Sequence, residues 1–322
     1  MPIVTITDFT FPTLEIEERI LEPLGFTVRS GQWKTVESLV PQVDDADAVL
    51  TQFAPITAAV IAGMAKAKVI VRYGIGVDNV DLDAAQARSI PVCNVPDYCI
   101  DEVADHTLAF LLAATRQVVP NCVRVREGRW GLATPMDQMR ALRNLTVGVV
   151  GFGRIGREVV ARLKAFKCRI LVHDPVVAPA EIERMGCSPV ALGELFAQAD
   201  AVTLHCPSTA RTRGMANRES LAAMKRGVIL INVARGDLVD PAALTEALRS
   251  GHVSAAALDV FTPEPIPADH PILTMENVVV SSHIASCSVS AVRKLRETVA
   301  NLAAMAIRGE PLPSVVNGVA AP

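Results

Sequence analysis

Five side chains able to hold an anion or move a proton stand at the ends of short apolar runs in the second half of the chain: His205, Arg235, Asp259, Glu264 and His283. The runs end at His205-Cys206-Pro207, at Asn232-Val233-Ala234-Arg235-Gly236, at Asp259 and at Ser281-Ser282-His283, with Glu264 shortly after Asp259. In an open parallel sheet the carboxyl ends of the strands deliver their loops to one edge, where ligands bind. A guanidinium there holds a substrate carboxylate and polarises the neighbouring carbonyl through paired N–H bonds. An imidazole gives its proton to the carbonyl oxygen as hydride reaches the carbon. A carboxylate beside that imidazole orients it and favours its charged form. Arg235, His283 and Glu264 fit these three roles in order, and together they are what interconversion of a 2-keto acid and a 2-hydroxy acid requires.

Each residue also has a plainer reading. Arg235 can pair with Asp237 or Asp240, Glu264 in Thr-Pro-Glu-Pro can be a solvated turn residue, and His283 can be an ordinary loop histidine. His205 reads as a loop residue near a cofactor. A zinc cluster of His205, Cys206, His283 and Cys287 matches no usual ligand spacing, so no metal is expected.

A nucleotide signal precedes these residues. Thr146–Val150 reads as a strand, Gly151-Phe152-Gly153-Arg154-Ile155-Gly156 follows at once, and a helical pattern comes next. The first glycine permits the tight turn, the second lets backbone approach a pyrophosphate, and the third lets helix pack on strand. The helix start presents free N–H groups to phosphate. Asp174 lies 18 residues beyond Gly156, near the usual offset of about 20 for the carboxylate that binds the ribose hydroxyls. Val176 and Val177 follow, with no arginine to neutralise a 2′-phosphate, so NAD is expected over NADP.

The elements that must position these groups are legible as apolar runs: Thr146–Gly151, Arg169–Asp174, Ala201–Cys206, Val228–Val233, Ser254–Val260 and Asn277–His283. Helical patterns such as Arg154–Phe166, Glu219–Lys225 and Ala242–Ser250 separate most of them. Continuous apolar strands alternating with helices predict a parallel sheet covered on both faces, here a doubly wound nucleotide fold of six strands. The first hundred residues read as a smaller α/β unit, with strands at Ile3–Asp8, Ala48–Phe53, Val69–Arg72 and Val92–Val95. A long helix, Asp101–Val118, leads into the nucleotide unit, and the helix Val289–Ile307 follows its last strand. The expected division is a discontinuous substrate domain, 1–100 completed by 287–322, and a nucleotide domain, 101–286.

Composition bounds the partners. The 322 residues are half hydrophobic but only 4% aromatic, so the core is aliphatic. Charge is nearly balanced, 31 basic against 34 acidic residues, which argues against a nucleic-acid or membrane surface. No apolar run reaches the length of about 18 residues that would span a bilayer. Seven cysteines without CxxC spacing suit a reducing, cytoplasmic setting, and MPIVTITDF reads as a first strand rather than a secretory leader.

At this point the chain resembles the D-isomer-specific 2-hydroxyacid dehydrogenases over nearly its whole length. The marks are Gly74-Ile75-Gly76-Val77-Asp78-Asn79, the Gly151 fingerprint, Asn232-Val233-Ala234-Arg235-Gly236, Ala257-Leu258-Asp259-Val260-Phe261 and Ser282-His283-Ile284-Ala285. The resemblance implies Arg235, Glu264 and His283 as catalytic residues, Asp259 near the nicotinamide amide, and backbone around Gly74–Gly76 near the substrate carboxylate. Thr107, His205, Pro207, Val233 and Ala234 are assigned with it to the cofactor, and Gln52, Phe53, Arg72, Tyr73 and Ile75 to the substrate. For Arg72 a buried structural arginine paired with an acidic residue is the other reading. The family implies a homodimer formed through the nucleotide domain and an active site in the interdomain cleft.

Two branches look closest. Phosphoglycerate dehydrogenases often carry arginines in the first-domain loop, where this chain has Thr51-Gln52-Phe53-Ala54-Pro55. That departure favours a small unphosphorylated acid such as glyoxylate or hydroxypyruvate, with D-3-phosphoglycerate as the alternative. The C-terminal binding protein corepressors share Val71-Arg72 and Glu102-Val103-Ala104-Asp105, so an NAD-sensing scaffold is the alternative of another class. Formate dehydrogenases place glutamine where this chain has Glu264.

Overall fold

The computed structural model describes residues 1–319 and divides into two compact units, Met1–Tyr98 with the segment from Ser288 onward, and Cys99–Cys287.

The first unit is a parallel sheet of five strands: β1 (Ile3–Ile6), β2 (Thr27–Ser30), β3 (Ala48–Thr51), β4 (Val69–Arg72) and β5 (Val92–Cys93), in the order β2-β1-β3-β4-β5. Four of these strands are legible in the sequence. The edge strand β2 is not, because Thr-Val-Arg-Ser is half-exposed and carries no apolar run. Its central strands are buried on both faces, with Val4, Ile6, Val49, Leu50, Ile70 and Val71 fully inaccessible, as a helix-covered parallel sheet requires. One face packs against the C-terminal helix, Val289–Arg308, through Leu295, Val299, Leu302 and Ala303. Ser288 caps that helix by accepting the N–H of Ala291, and Gly309 ends it in the left-handed conformation.

The second unit is a parallel sheet of seven strands: β6 (Thr146–Val150), β7 (Arg169–His173), β8 (Ser188–Pro189), β9 (Ala201–Leu204), β10 (Val228–Asn232), β11 (Val253–Leu258) and β12 (Val278–Val280). The order is β12-β11-β10-β9-β6-β7-β8, so the winding reverses between β6 and β9, the switch point where such folds bind nucleotides. The sequence predicts six of these strands. The seventh, β8, is the dipeptide Ser188–Pro189 on the edge and leaves no pattern to read.

The predicted helix Asp101–Val118 ends three residues early, and a second helix follows it. Helix α1 (Ile100–Thr115) stops, Gln117 turns left-handed at φ 52°, and helix α2 (Val118–Arg126) restarts. Pro120 is the physical reason, because inside a continuous helix it could not donate to the carbonyl of Arg116 and its ring would clash there. In the first turn of a new helix the missing N–H is harmless. Helix α3 (Arg154–Ala165) follows the glycine turn, and its Arg162 bonds Asp105 at 2.6 Å and Asp101 at 2.7 Å, tying α3 to α1. Among the described residues no helix is long and apolar enough to cross a membrane.

Candidate active site

The nucleotide turn forms where β6 meets the switch point. Gly151 has φ 97° and its N–H bonds the carbonyl of His173 at 2.8 Å. A Cβ on Gly156 would stand 2.1 Å from the Gly151 carbonyl oxygen, so only glycine lets α3 approach the strand this closely. No atom lies within 4 Å of where a Cβ on Gly153 would be, and α3 begins at the next residue. The turn is therefore an open cradle at a helix N-terminus, with Arg154 exposed and Ile155 half-buried in its first turn.

Asp174 closes one side of that cradle. Its Oδ2 accepts the N–H of Phe152 at 2.7 Å, and its Oδ1 accepts those of Val176 at 2.8 Å and Val177 at 3.1 Å. Desolvation pushes its pKa up, but these three bonds and His173 outweigh it and hold the carboxylate below its ordinary range. A carboxylate offers about four lone-pair sites, so one direction on Oδ2 stays open to a ligand hydroxyl. An open phosphate cradle beside an anionic acceptor fits a dinucleotide with a free ribose diol.

The remaining cofactor assignments divide. The His205 main chain lies against Gly151, within 3 Å of where a Cβ there would be. Its ring bonds Thr203 Oγ1 at 2.9 Å, and burial pushes its pKa down to about 3, so the imidazole is neutral. Pro207 is exposed and Val233 is buried, while Ala234 donates its N–H to Asn232 Oδ1 at 3.1 Å. Thr107 does not reach the surface of the cradle, because its side chain is fully buried and its hydroxyl bonds the Val103 carbonyl of its own helix at 2.7 Å.

The loops after β10, β11 and β12 bring Arg235, Glu264 and His283 to one rim. Asn232 staples the first loop, donating from Nδ2 to the Arg235 carbonyl at 2.7 Å. Gly236 then passes so close to Phe261 that a Cβ would stand 2.0 Å from its main chain. The Phe261 N–H bonds Glu264 Oε1 at 2.8 Å, and Glu264 Oε2 is 2.8 Å from His283 Nδ1. Burial raises the Glu264 pKa, but His283, the Phe261 N–H and the charge of Arg235 together hold it below its ordinary range. This pair keeps contact with solvent, with His283 27% and Glu264 31% exposed.

Strand β12 stops at Val280, so His283 stands in the loop beyond it and not on the strand, in a left-handed conformation with φ 58°. Asp259, 1% exposed, holds that loop. Its oxygens accept the N–H groups of Ile284 and Ala285, both at 2.9 Å, and the hydroxyl of Ser281. Sequence reasoning assigns no role to Asn232, Ser281 or His106, although Asn232 and Ser281 lie inside motifs that it singles out.

The substrate assignments lie in the first unit. Asp8 at the end of β1 accepts the N–H groups of Gln52, Phe53 and Ala54 at 2.8–3.1 Å and so fixes that loop. The Gln52 side chain turns back to accept the N–H of Thr10 at 2.8 Å, while the Phe53 ring is 44% exposed. Arg72 is buried, lies against Gly74 and sits 5.9 Å from the Phe53 ring centroid. The Tyr73 ring is buried and its hydroxyl donates to Glu17 at 3.2 Å, which leaves only its backbone for a ligand. Gly74 and Ile75 offer their carbonyls to Val95 N–H and Asn94 Nδ2, and Gly76 is half-buried.

Residues 108–285 match the family model described as D-isomer specific 2-hydroxyacid dehydrogenase, NAD binding domain. A D-3-phosphoglycerate dehydrogenase from Mycobacterium leprae is 41% identical over 280 residues, 87% of this chain and 52% of its own, so the chain spans about half the length of that relative. A glyoxylate reductase from Korarchaeum cryptofilum is 38% identical over 315 residues, 95% of both chains. The crystal structure of a D-lactate dehydrogenase from Aquifex aeolicus, complexed with NAD and lactic acid, matches with a TM-score of 0.85 at 27% identity over 96% of each chain. With a family model across most of the second unit and a relative matched over nearly its full length, the chain belongs to the D-isomer-specific 2-hydroxyacid dehydrogenase family, and its cofactor is NAD.

Proposed function

We propose that the chain is an NAD-dependent dehydrogenase for a small, unphosphorylated D-2-hydroxy acid, with His283 as the acid–base residue. The 2.8 Å contact between His283 Nδ1 and Glu264 Oε2 carries this reading. An ionised Glu264 only accepts, so Nδ1 keeps its hydrogen and Nε2 is the nitrogen left to exchange a proton. NAD, when bound, supplies or takes the hydride at C2. Nε2–H gives its proton to the carbonyl oxygen in reduction, and neutral His283 takes it back in oxidation. Arg235 holds the substrate carboxylate by paired N–H bonds. Asp174 accepts the ribose hydroxyls and repels a 2′-phosphate.

The substrate reading rests on the Thr51–Pro55 loop. It has no arginine or lysine, and Asp8 engages its amides at Gln52, Phe53 and Ala54. A phosphate needs such donors. Arg72 contributes to substrate binding, and glyoxylate and hydroxypyruvate are the preferred candidates. The functional unit is a homodimer formed through the nucleotide domain, a reading supported by the exposed apolar stretch Val118, Val123, Val125, Trp130 and Met136. The free cysteines support a cytoplasmic setting.

A panel of 2-keto acids with NADH, followed at the nicotinamide absorbance, tests the activity. Glyoxylate or hydroxypyruvate turns over, and His283→Asn lowers turnover by roughly 10²–10⁴-fold with NADH binding intact. Near-normal turnover of His283→Asn removes the acid–base assignment. Efficient oxidation of 3-phosphoglycerate, without turnover of either small acid, removes the substrate assignment. NADH binding without turnover of any acid favours a scaffold.

A further inference from the structure

The rim of the second unit carries a hydrogen-bond array that the acid–base pair does not use. His283 has φ 58°, a conformation that non-glycine residues rarely adopt. Such a residue persists only where its surroundings over-determine it. Here the His283 N–H bonds the Asp259 carbonyl at 2.8 Å, and the next two N–H groups bond the Asp259 carboxylate. Ser281 donates its hydroxyl to Oδ1 of the same carboxylate. His106, on α1, places Nε2 3.1 Å from Ser281 Oγ and 4.0 Å from Asp259 Oδ1.

The direction of this array follows from counting hydrogens. Ser281 has one hydroxyl hydrogen, and Asp259 takes it. Ser281 Oγ can then only accept from His106, so His106 Nε2 carries a hydrogen. The chain therefore runs one way, from His106 through Ser281 to Asp259. Its far end is held as well. The His106 ring packs edge-on against Phe110 at 4.4 Å between centroids, and α1 is tied to α3 through Arg162.

We propose that Ser281 and His106 are positioning residues that act through Asp259 to lock the left-handed turn and aim His283 Nε2. The inference rests on the reading of His283 as the acid–base group. Its physical basis is the tolerance of catalysis for displacement. Catalytic groups must be held within about 0.5 Å of their working geometry, and a misplacement of about 1 Å costs on the order of 10²-fold. Removing the Ser281 hydroxyl leaves a buried carboxylate with fewer donors and leaves the His106 N–H without its acceptor, so the turn has less to hold it.

The test uses the full-length protein. Ser281→Ala and His106→Phe remove the chain, whereas Ser281→Thr and His106→Gln keep a hydroxyl and an N–H at the same places. The measurements are kcat and KM for reduction of the best keto acid, the Kd of NADH, the Tm, and the ¹⁵N–¹H signals of the imidazoles after ¹⁵N-histidine labelling. Ser281→Ala and His106→Phe lower kcat by roughly ten- to a hundredfold, with NADH affinity unchanged and the His283 Nδ1–H signal shifted or broadened. The double variant is no worse than the more damaging single one, because both break one chain. The conservative variants recover most of the kcat.

Unchanged kcat and an unchanged His283 signal in Ser281→Ala and His106→Phe overturn the proposal while His283→Asn still lowers turnover by roughly 10²–10⁴-fold. A kcat loss that follows Tm alone, without rescue by Ser281→Thr, assigns the array a purely structural role and also overturns it. If His283→Asn keeps its turnover, the acid–base reading itself has failed. The imidazole signals then decide whether the array still sets the His283 turn.

Discussion

The two units use carboxylates in opposite ways. In the first, Glu17 is fully buried against Arg296, with Nη2 at 2.6 Å and Nε at 2.9 and 3.1 Å, and the Tyr73 hydroxyl adds a further bond. Arg296 also bonds the Thr13 carbonyl at 2.6 Å and lies over the Phe11 ring. Asp8 is just as deeply buried, and loop N–H groups and hydroxyls occupy it. Both carboxylates are shut away from solvent and spend their bonds on the fold. In the second unit Asp174 and Glu264 stay partly open, each held below its usual range by N–H donors and neighbouring charge after burial has pushed the other way. A saturated, desolvated carboxylate fixes a loop, whereas an accessible anionic one can accept a hydroxyl or steady an imidazole. Asp259 stands between the two cases, buried like Asp8 but anchoring the loop that carries His283.

That contrast makes the largest prediction one of stability. Arg296→Met leaves Glu17 as a buried unpaired charge and lowers stability by about 3–5 kcal/mol, read by urea unfolding. Replacing both residues by apolar ones costs less, because no charge is left behind. A loss near zero for Arg296→Met would show that the first unit does not depend on this pair and would erase the contrast.

The next effect lies in the second unit. Gly236→Ala forces its Cβ into the Phe261 main chain, 2.0 Å away, and costs about 1–3 kcal/mol as overpacking does. Because Phe261 also holds Glu264, kcat falls in parallel while NADH affinity stays near normal. A variant with unchanged kcat separates the Arg235 loop from the Glu264 loop, contrary to the geometry above.

The smallest effect sharpens the role of an open carboxylate. Asp174→Ala shifts the preference between NADH and NADPH toward NADPH by about tenfold, or about 1.4 kcal/mol, read as the ratio of kcat/KM values. A wild-type protein that already prefers NADPH tenfold contradicts the role given to Asp174.

Much of the second unit was readable because its signals are local. A strand, a glycine turn and a helix are contiguous in the sequence, and double-sided burial writes itself as unbroken apolar runs. Pro120 accounts for the end of the first helix before Val118 and the start of a second one there. Strands β2 and β8 escaped because edge strands of a few half-exposed residues have no apolar period. The resemblance assigns Tyr73 to the substrate and Thr107 to the cofactor, whereas burial turns both side chains inward. His106 and Ser281 are 175 residues apart, so no spacing rule could have joined them.

By itself the sequence determined the residue types, the strand ends that carry them and the glycine turn that opens a nucleotide site. Those follow from steric rules and hydrophobic period, which act between near neighbours in the chain. Only the tertiary structure decided that Glu264 meets Nδ1 of His283 and that Asp259 grips the turn behind it. Hydrogen-bond partners and burial depend on distance in space, and packing brings together loops that the sequence holds apart.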